Sequence, residues 1–468
     1  MARPDRGARI ADIERYRKSV LTHPLAAGLD PQEVTGFLAS LPATRFPRHK
    51  YAIRGERACI QPRGGFPTFE KQRLLTRALD EAGADFIPLT IDSYTRQNEY
   101  DTASQLLHRS ELEERDYLNG YPLVCHGFEV SRELYATIDK PISLRHGTPD
   151  ARLLVETALA TGIVEIEGGG ICYCLPYSEG FPLDRCLLYW QYVDRICAEY
   201  STTQRPVHRE SFGPLSATLL PPAIALVIQI IEALLAAEQG VVSFAVSFGQ
   251  TGSVAQDIAS ARVLRKLVRH YLDSFGFEQT QTYLVYHQWM GQFPADRERA
   301  AALIACSAMV ASLIDADKIV AKTVDEALGV PSAEVNATAV DNVAYVLRTF
   351  SGAGDITSPL IEREAELIES QCRHILEAIF ALRGDAFWES VFRAFQLGWL
   401  DVPFSPHADN ANRLISMRDE HGSIRIADPG AVPIAEQDLT EERARLSGRK
   451  GRDDKTYVQL LHDINLMV

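Results

Sequence analysis

Three short apolar runs of this 468-residue chain lead directly into arginines. Arg63 follows CIQP and precedes Gly64 and Gly65, Arg96 lies in SYTRQN just beyond FIPLTID, and Arg145 closes ISL and opens RHGTPD. A guanidinium fork grips a carboxylate through two charge-assisted bonds of roughly 1.5–3 kcal/mol each, so three at one rim would trap an anion. The same spacing lets each arginine pair with a nearby Asp or Glu as a structural bridge. Glu167 ends a fourth run, IVEIE, ahead of Gly168, Gly169 and Gly170. At a partly dry mouth its carboxylate suits an ammonium group, although a solvated loop glutamate reads identically. The glycines permit close backbone approach or simply a flexible turn, and Tyr173, Pro176 and Tyr177 follow them. Together these groups describe a receptor for a small molecule with two negative ends and one positive end, as an acidic amino acid has.

Other segments leave two readings each. HQWMGQFP at 287–294 is either aromatic core or a platform for a flat ligand. Lys322 and Glu326 form either an i,i+4 helix pair or a pair of groups for ribose hydroxyls. Competing chemistries lack their signatures: there is no G-x-S-x-G elbow and no H-E-x-x-H motif. The eight cysteines include no C-x-x-C, and Cys172-x-Cys174 is too isolated for a zinc site.

Strand ends must bring such residues together. From Ala58 onward, short apolar runs at 58–63, 86–92, 123–126, 142–146, 163–167, 206–210, 242–248, 282–287 and 318–323 alternate with helical patterns at 69–82, 151–161, 223–239, 258–275 and 297–313. That alternation predicts an α/β fold, a (β/α)8 TIM barrel with its site at the C-terminal ends of the strands. Nine candidate strands are one too many, and 123–126 or 206–210 is the one to discard. No G-x-G-x-x-G follows the first strand, against a dinucleotide-binding sheet. Residues 1–50 are expected as a helical lead-in with a start signal at Asp30-Pro31, and 51–345 as the catalytic barrel. Residues 346–468 are expected as a mostly helical and irregular extension that caps the barrel or dimerises it, with helices at 361–383, 386–398 and 457–465.

Hydrophobic residues at 46% and charged residues at 24% exclude a disordered chain. Lys+Arg 48 against Asp+Glu 62 gives a net charge of −14, so no nucleic-acid partner is expected and any anion must be held by local arginines. The most apolar stretch, 215–231, contains Pro221 and Pro222 and falls short of the roughly 20 residues of a membrane span; a buried helix is expected. The N-terminus has no apolar h-region and carries Asp5, Asp12 and Glu14. With cysteines set in apolar runs like reduced thiols, a cytoplasmic location is expected.

Longer strings carry a resemblance: QPR at 61–63, TIDSYTRQNEYD at 90–101, LLHRSELEERDYLNGYP around Asn119, RHGTPDARLL at 145–154 and EGGGICYCLPY at 167–177. FGPLSATLLPP at 212–222, EALLAAEQGV at 232–241, HQWMGQFP at 287–294 and AKTVDEALGVP at 321–331 complete them. On these the chain resembles the large (epsilon) subunits of glutamate mutase, also called methylaspartate mutase. The resemblance implies an isomerase that uses adenosylcobalamin, a cobalt corrinoid, to interconvert L-glutamate and threo-3-methyl-L-aspartate by a radical rearrangement. The cofactor supplies the radical while the protein grips and shields.

Carried over position by position, the resemblance implies that Arg63, Arg96 and Arg145 hold the two substrate carboxylates and Glu167 the ammonium, with Tyr173 and Tyr177 also on the substrate. Gly65, Asn119, Pro176, Phe293, Lys322, Glu326 and Val330 would line adenosylcobalamin. The chain departs from the family pattern at 64–67, at Cys172 and Cys174, and at 248–253. None of its twelve histidines lies in the D-x-H-x-x-G string that base-off cobalamin requires. The resemblance therefore implies no metal ligand here, a cobalt-ligating His on a small cobalamin-binding partner subunit, and two copies of this chain in a heterotetramer. A related barrel acting on another acidic amino acid, or a non-catalytic paralogue serving as a scaffold, are the alternatives.

Overall fold

The computed structural model describes residues 10–213, 219–353, 356–382, 384, 386–448 and 457–467. Residues 1–9 of the expected lead-in, residues 214–218 of the FGPLSATLLPP string, Arg383 and residues 449–456 ahead of the last helix lie outside the described residues. Eight short strands carry the fold: β1 (Cys59–Gln61), β2 (Ile87–Thr90), β3 (Ile142–Arg145), β4 (Glu165–Glu167), β5 (His208–Glu210), β6 (Ser243–Gly249), β7 (Gln281–His287) and β8 (Lys318–Val320). They pair in parallel in the order β1-β8-β7-β6-β5-β4-β3-β2. The remaining seam is bridged by backbone amides: Asp85 and Phe86 donate to the Ile60 carbonyl (2.9 and 3.2 Å) and Thr90 to that of Gly64 (3.0 Å). The result is the nearly closed barrel the alternation predicts.

The ninth candidate strand resolves in favour of 206–210, which supplies β5, while 123–126 is a one-turn helix, Leu123–His126, set between Pro122 and Gly127. A four-residue apolar run fits one helical turn as well as a strand, so periodicity does not separate them. Expected helices match within a few residues, and Arg297–Leu313 coincides at both ends. Asp30 caps its helix as expected, its side chain accepting from the Gln32 amide at 2.8 Å. The tail is more ordered than its composition suggests. It holds an antiparallel hairpin, β9 (Ile415–Arg418) with β10 (Ile424–Asp428), and a helix, Glu436–Ser447.

Side chains alternate across each strand, and that alternation separates two interiors. Leu144, Ile166, Leu284 and Ile319 point outward into the large apolar cluster shared with the helices. The inward set is layered. Tyr51, Cys59 and Phe86 close the N-terminal end, with Tyr51 stacked on Tyr283 at 4.3 Å. Ala245, Val285 and Val320 form a small apolar patch above it. Alongside sit Glu165 and Lys318, which open β4 and β8, and above them Arg145, Glu167 and Glu210, which close β3, β4 and β5 at the end where the loops carry function; all five are buried.

Outside the barrel, helix Pro222–Glu238 is buried along its whole length, covered by helices Val254–Ser274 and Pro359–Ala381. This accounts for residues 222–231 of the apolar stretch, its first four residues lying outside the described ones, and no helix among the described residues is long and apolar enough to cross a membrane. The extension also reaches the rim. Ser405 Oγ donates to the Leu175 carbonyl (2.7 Å) beyond β4, and Arg418 Nη1 to the Thr251 carbonyl (2.7 Å) beyond β6.

Candidate active site

All three strand-end arginines reach one mouth, but their states differ. Arg96 stands on a one-turn helix, Ser93–Arg96, fixed by Asp92 Oδ1, which accepts from the amides of Tyr94 and Thr95 at 2.9 and 3.0 Å. Asn119 Oδ1 accepts from the Ser93 amide at 2.9 Å and steadies the same turn. Arg96 Nε donates to the Ile91 carbonyl at 2.7 Å, leaving the outer guanidinium edge without a carboxylate among the described residues. Burial and the facing charge of Arg63 hold the Arg96 pKa down, which marks the two cations as neighbours. Arg63 is half-buried and likewise has no acidic partner among the described residues, its nearest polar contact being the Met290 sulfur at 3.8 Å.

Arg145 is already paired. It is 4% exposed, with Nη1 3.0 Å from Glu210 Oε1 and Nη2 in an ion pair with Glu167. Glu167 also accepts from the Tyr173 hydroxyl. Burial pushes the Glu167 carboxyl up to about 8, against the pull of Arg145. The structural-bridge reading thus applies to one arginine of three, and the anion-trap reading fits the other two.

The glycines beyond Glu167 make room for protein rather than for a ligand. A Cβ on Gly168 (φ +122°) would lie 2.3 Å from Trp190 and 2.4 Å from Tyr173, and one on Gly169 would strike the Glu232 carboxylate. Glu232 accepts from the amides of Ile171 (2.8 Å) and Cys172 (3.1 Å), fixing the turn that carries Tyr173 inward and Tyr177, 40% exposed, onto the rim. His146 joins this layer: Thr148 N donates to its Nδ1 (3.2 Å) while its Nε2 donates to the Glu167 carbonyl (2.8 Å).

Of the residues expected along a cofactor, Gly65, Phe293, Lys322, Glu326 and Val330 follow β1, β7 and β8, whereas Asn119 lies beyond β2 and Pro176 beyond β4. Gly65 passes so close to β2 that a Cβ would lie 2.3 Å from the Thr90 carbonyl oxygen. Lys322 Nζ contacts Glu326 at 2.5 Å and lies 5.8 Å from the Phe293 ring centroid. Burial and the Arg63 charge lower the Lys322 pKa to about 8. Val330 is 59% exposed, Pro176 is half-buried beside Tyr177, and Asn119 is exposed next to Ser93. HQWMGQFP proves mixed, since Trp289 and Phe293 are buried in the large core while Met290 meets Arg63.

Sequence reasoning missed Glu210, Lys318 and His287. Glu210 links Arg145 to Lys318, whose Nζ is 2.5 Å from Glu210 Oε2 and 2.6 Å from Gln61 Oε1, with Glu165 as a further carboxylate. Lys318 is 0% exposed, and such a charge is tolerable only when paired and bonded. The available signal was a charge at one end of each of two three-residue strands, Glu210 closing β5 and Lys318 opening β8. His287, fully buried, has neither ring nitrogen bonded among the described residues. Ligand atoms of Glu167, Glu210 and His287 lie within 4.8 Å of one another. With Arg145 and Lys318 already on those carboxylates, the group is a network of paired charges.

The sequence model of one family, described as methylaspartate mutase E chain, matches residues 46–467. The chain is 37% identical over 450 residues to the glutamate mutase epsilon subunit of Treponema denticola, covering 95% of this chain and 92% of that one. It is 40% identical over 411 residues to the epsilon subunit of Escherichia coli O157:H7 (86% and 84% covered) and 40% over 427 residues to that of Halobacterium salinarum (90% and 88% covered). Among solved structures it is similar to a glucosidase from Croceicoccus marinus, at TM-score 0.33 and 13% identity over 62% of this chain and 68% of the other, too slight a likeness to build on.

Proposed function

The chain belongs to the methylaspartate mutase E chain family, and from that premise we propose that it is the catalytic subunit of an adenosylcobalamin-dependent mutase interconverting L-glutamate and threo-3-methyl-L-aspartate. The observation that carries this reading is the pair of half-buried guanidinium groups, Arg63 and Arg96, that face one mouth with no acid among the described residues to neutralise them. Two cations held together against their own repulsion call for an anion. Arg145 supplies the third fork once Glu167 leaves it. A ligand with one carboxylate would leave a buried guanidinium unpaired; one with two carboxylates and an ammonium group satisfies all three forks and Glu167.

In this reading Arg63, Arg96 and Arg145 orient the two carboxylates, Glu167 receives the ammonium, and the Tyr173 hydroxyl turns from Glu167 toward the substrate. Tyr177 forms part of the rim. The packed rings of Tyr173, Trp190 and Phe212 beside Glu167 would exclude water, which strengthens each contact. The rim fits a large corrinoid with a sugar attached: exposed Leu328 and Val330 offer apolar surface, and the Lys322–Glu326 pair offers a donor and an acceptor for ribose hydroxyls. Radical formation at a cobalt–carbon bond is the chemistry adenosylcobalamin supplies when bound. Gly65, Asn119, Pro176 and Phe293 would complete the lining.

The relatives' description as epsilon subunits fits an enzyme of several chains, and we propose a small cobalamin-binding partner bearing the cobalt-ligating His, with two copies of this chain in a heterotetramer. The barrel at 51–345 would be the catalytic unit, braced by 1–50 and 346–468. The eight cysteines are free thiols, consistent with a cytoplasmic enzyme. The test is production of 3-methylaspartate from L-glutamate with adenosylcobalamin. Turnover is expected with the small subunit and none without it; no turnover in the assembled enzyme, or turnover of a different acidic amino acid alone, would replace this reading.

A further inference from the structure

Resting on the dicarboxylate reading above, we propose that Glu210, anchored by Lys318, is a positioning residue: it holds the Arg145 guanidinium in place while a substrate carboxylate displaces Glu167, freeing Glu167 for the substrate ammonium. Arg145 presents different nitrogens to two carboxylates, Nη1 to Glu210 and Nη2 to Glu167. Those carboxylates are not equally replaceable. Glu210 contacts two buried cations at once, one through each oxygen, at 3.0 Å from Arg145 and 2.5 Å from Lys318. Lys318 is in turn tied to Glu165 and Gln61 on β4 and β1. Moving Glu210 would therefore strip a partner from two buried charges. Moving Glu167 gives up one ion pair and a tyrosine hydroxyl, in a layer open to the mouth through Tyr177.

Charge balance favours the exchange. Three carboxylates, Glu165, Glu167 and Glu210, face two cations, Arg145 and Lys318. A substrate carboxylate that takes Nη2, with an ammonium that takes Glu167, replaces one ion pair by two and leaves no new charge unpaired. Glu167 is also the acid of this cluster that most readily holds a proton, whereas the Lys318 and Arg145 charges keep Glu210 ionised. Docking of an ammonium should expel that proton. The other groups facing Glu167 are Arg63 and Arg96 at the mouth, Tyr173 beside it, and His146 and His287, both of which burial keeps neutral.

The experiment uses the assembled enzyme with its small subunit and adenosylcobalamin. Glu210→Gln should raise KM for L-glutamate about ten- to hundredfold, with a smaller fall in kcat. It should also move the Glu167-dependent limb of the kcat/KM profile to lower pH, because Arg145 then pairs with Glu167 alone. Glu210→Asp should restore part of the KM. A merely structural role would lower thermal stability and leave the pH profile unmoved, and that result would overturn the proposal. Should Glu210→Gln fail to fold, L-glutamate binding to wild-type protein reconstituted with hydroxocobalamin, measured calorimetrically in two buffers of different ionisation enthalpy near neutral pH, should show net proton release; none would overturn it. A wild-type enzyme inactive on glutamate would defeat the functional reading itself, whereas an active one with an indifferent Glu210→Gln defeats only the positioning role.

Discussion

Arg96→Lys removes a fork and keeps a charge. In the structure the only hydrogen bond of the Arg96 side chain among the described residues runs from Nε to the Ile91 carbonyl at 2.7 Å, so both outer nitrogens are available to a ligand. A lysine ammonium provides one point contact where the guanidinium provides two, and it cannot reach back to Ile91 at the same time. Losing one charge-assisted bond costs about 1.5–3 kcal/mol, or roughly a 10- to 150-fold fall in kcat/KM for L-glutamate. Folding should hardly change. The lost Ile91 bond is worth about 1 kcal/mol and the charge facing Arg63 is unchanged, so Tm should shift by no more than roughly 2–4 °C. The assay is steady-state 3-methylaspartate formation by the assembled enzyme, with a thermal melt of the same preparation. A kcat/KM within about threefold of wild type would refute the two-point grip.

Four further outcomes are expected. Glutamates in an unfolded chain release their protons near about pH 4.3, whereas burial pushes Glu165 up to about 7 and Glu167 up to about 8. Between those values the folded chain binds more protons than the unfolded one. Stability should therefore fall as pH rises, by on the order of 1 kcal/mol per pH unit, in denaturant titrations of the unliganded chain, and Glu167→Gln should flatten the slope. Gly168→Ala, which places a Cβ 2.3 Å from Trp190 at a φ of +122°, should cost at least about 2 kcal/mol or abolish soluble expression. By contrast Gly36→Ala, in open space on helix Pro31–Ser40, should stabilise by roughly 0.5–1 kcal/mol in the same melts. Lys322→Met should weaken adenosylcobalamin binding to the assembled enzyme several-fold while leaving the melting temperature nearly unchanged.

Much of the positioning was legible because barrel strands end where function begins. The runs leading to Arg63, Arg96, Arg145 and Glu167 could be followed as strand ends, and helix periodicity located Arg297–Leu313 at both ends. What stayed hidden was pairing over long sequence distances. Nothing local to Arg145 indicates that it spends its charge on Glu210, sixty-five residues away, or that Lys318 reaches Glu165 across the barrel. The three-residue strands β4, β5 and β8 are too short for alternation to declare which charges point inward. The Leu123–His126 turn misled for the opposite reason, being apolar enough for a strand and short enough for either. The glycines at 168–169 read in the sequence as backbone freedom, while their cause lies in Trp190 and Glu232, which only the folded chain brings near.

In the proposed reading three guanidinium groups at one mouth grip two carboxylates of a single small molecule. The most direct test of that grip is the comparison of L-glutamate with L-glutamine, nearly equal in shape but one carboxylate poorer, as ligands of the assembled enzyme by equilibrium binding. Glutamate should bind at least about a hundredfold more tightly, since glutamine leaves a buried guanidinium facing a neutral amide. Comparable affinities for the two would contradict the account.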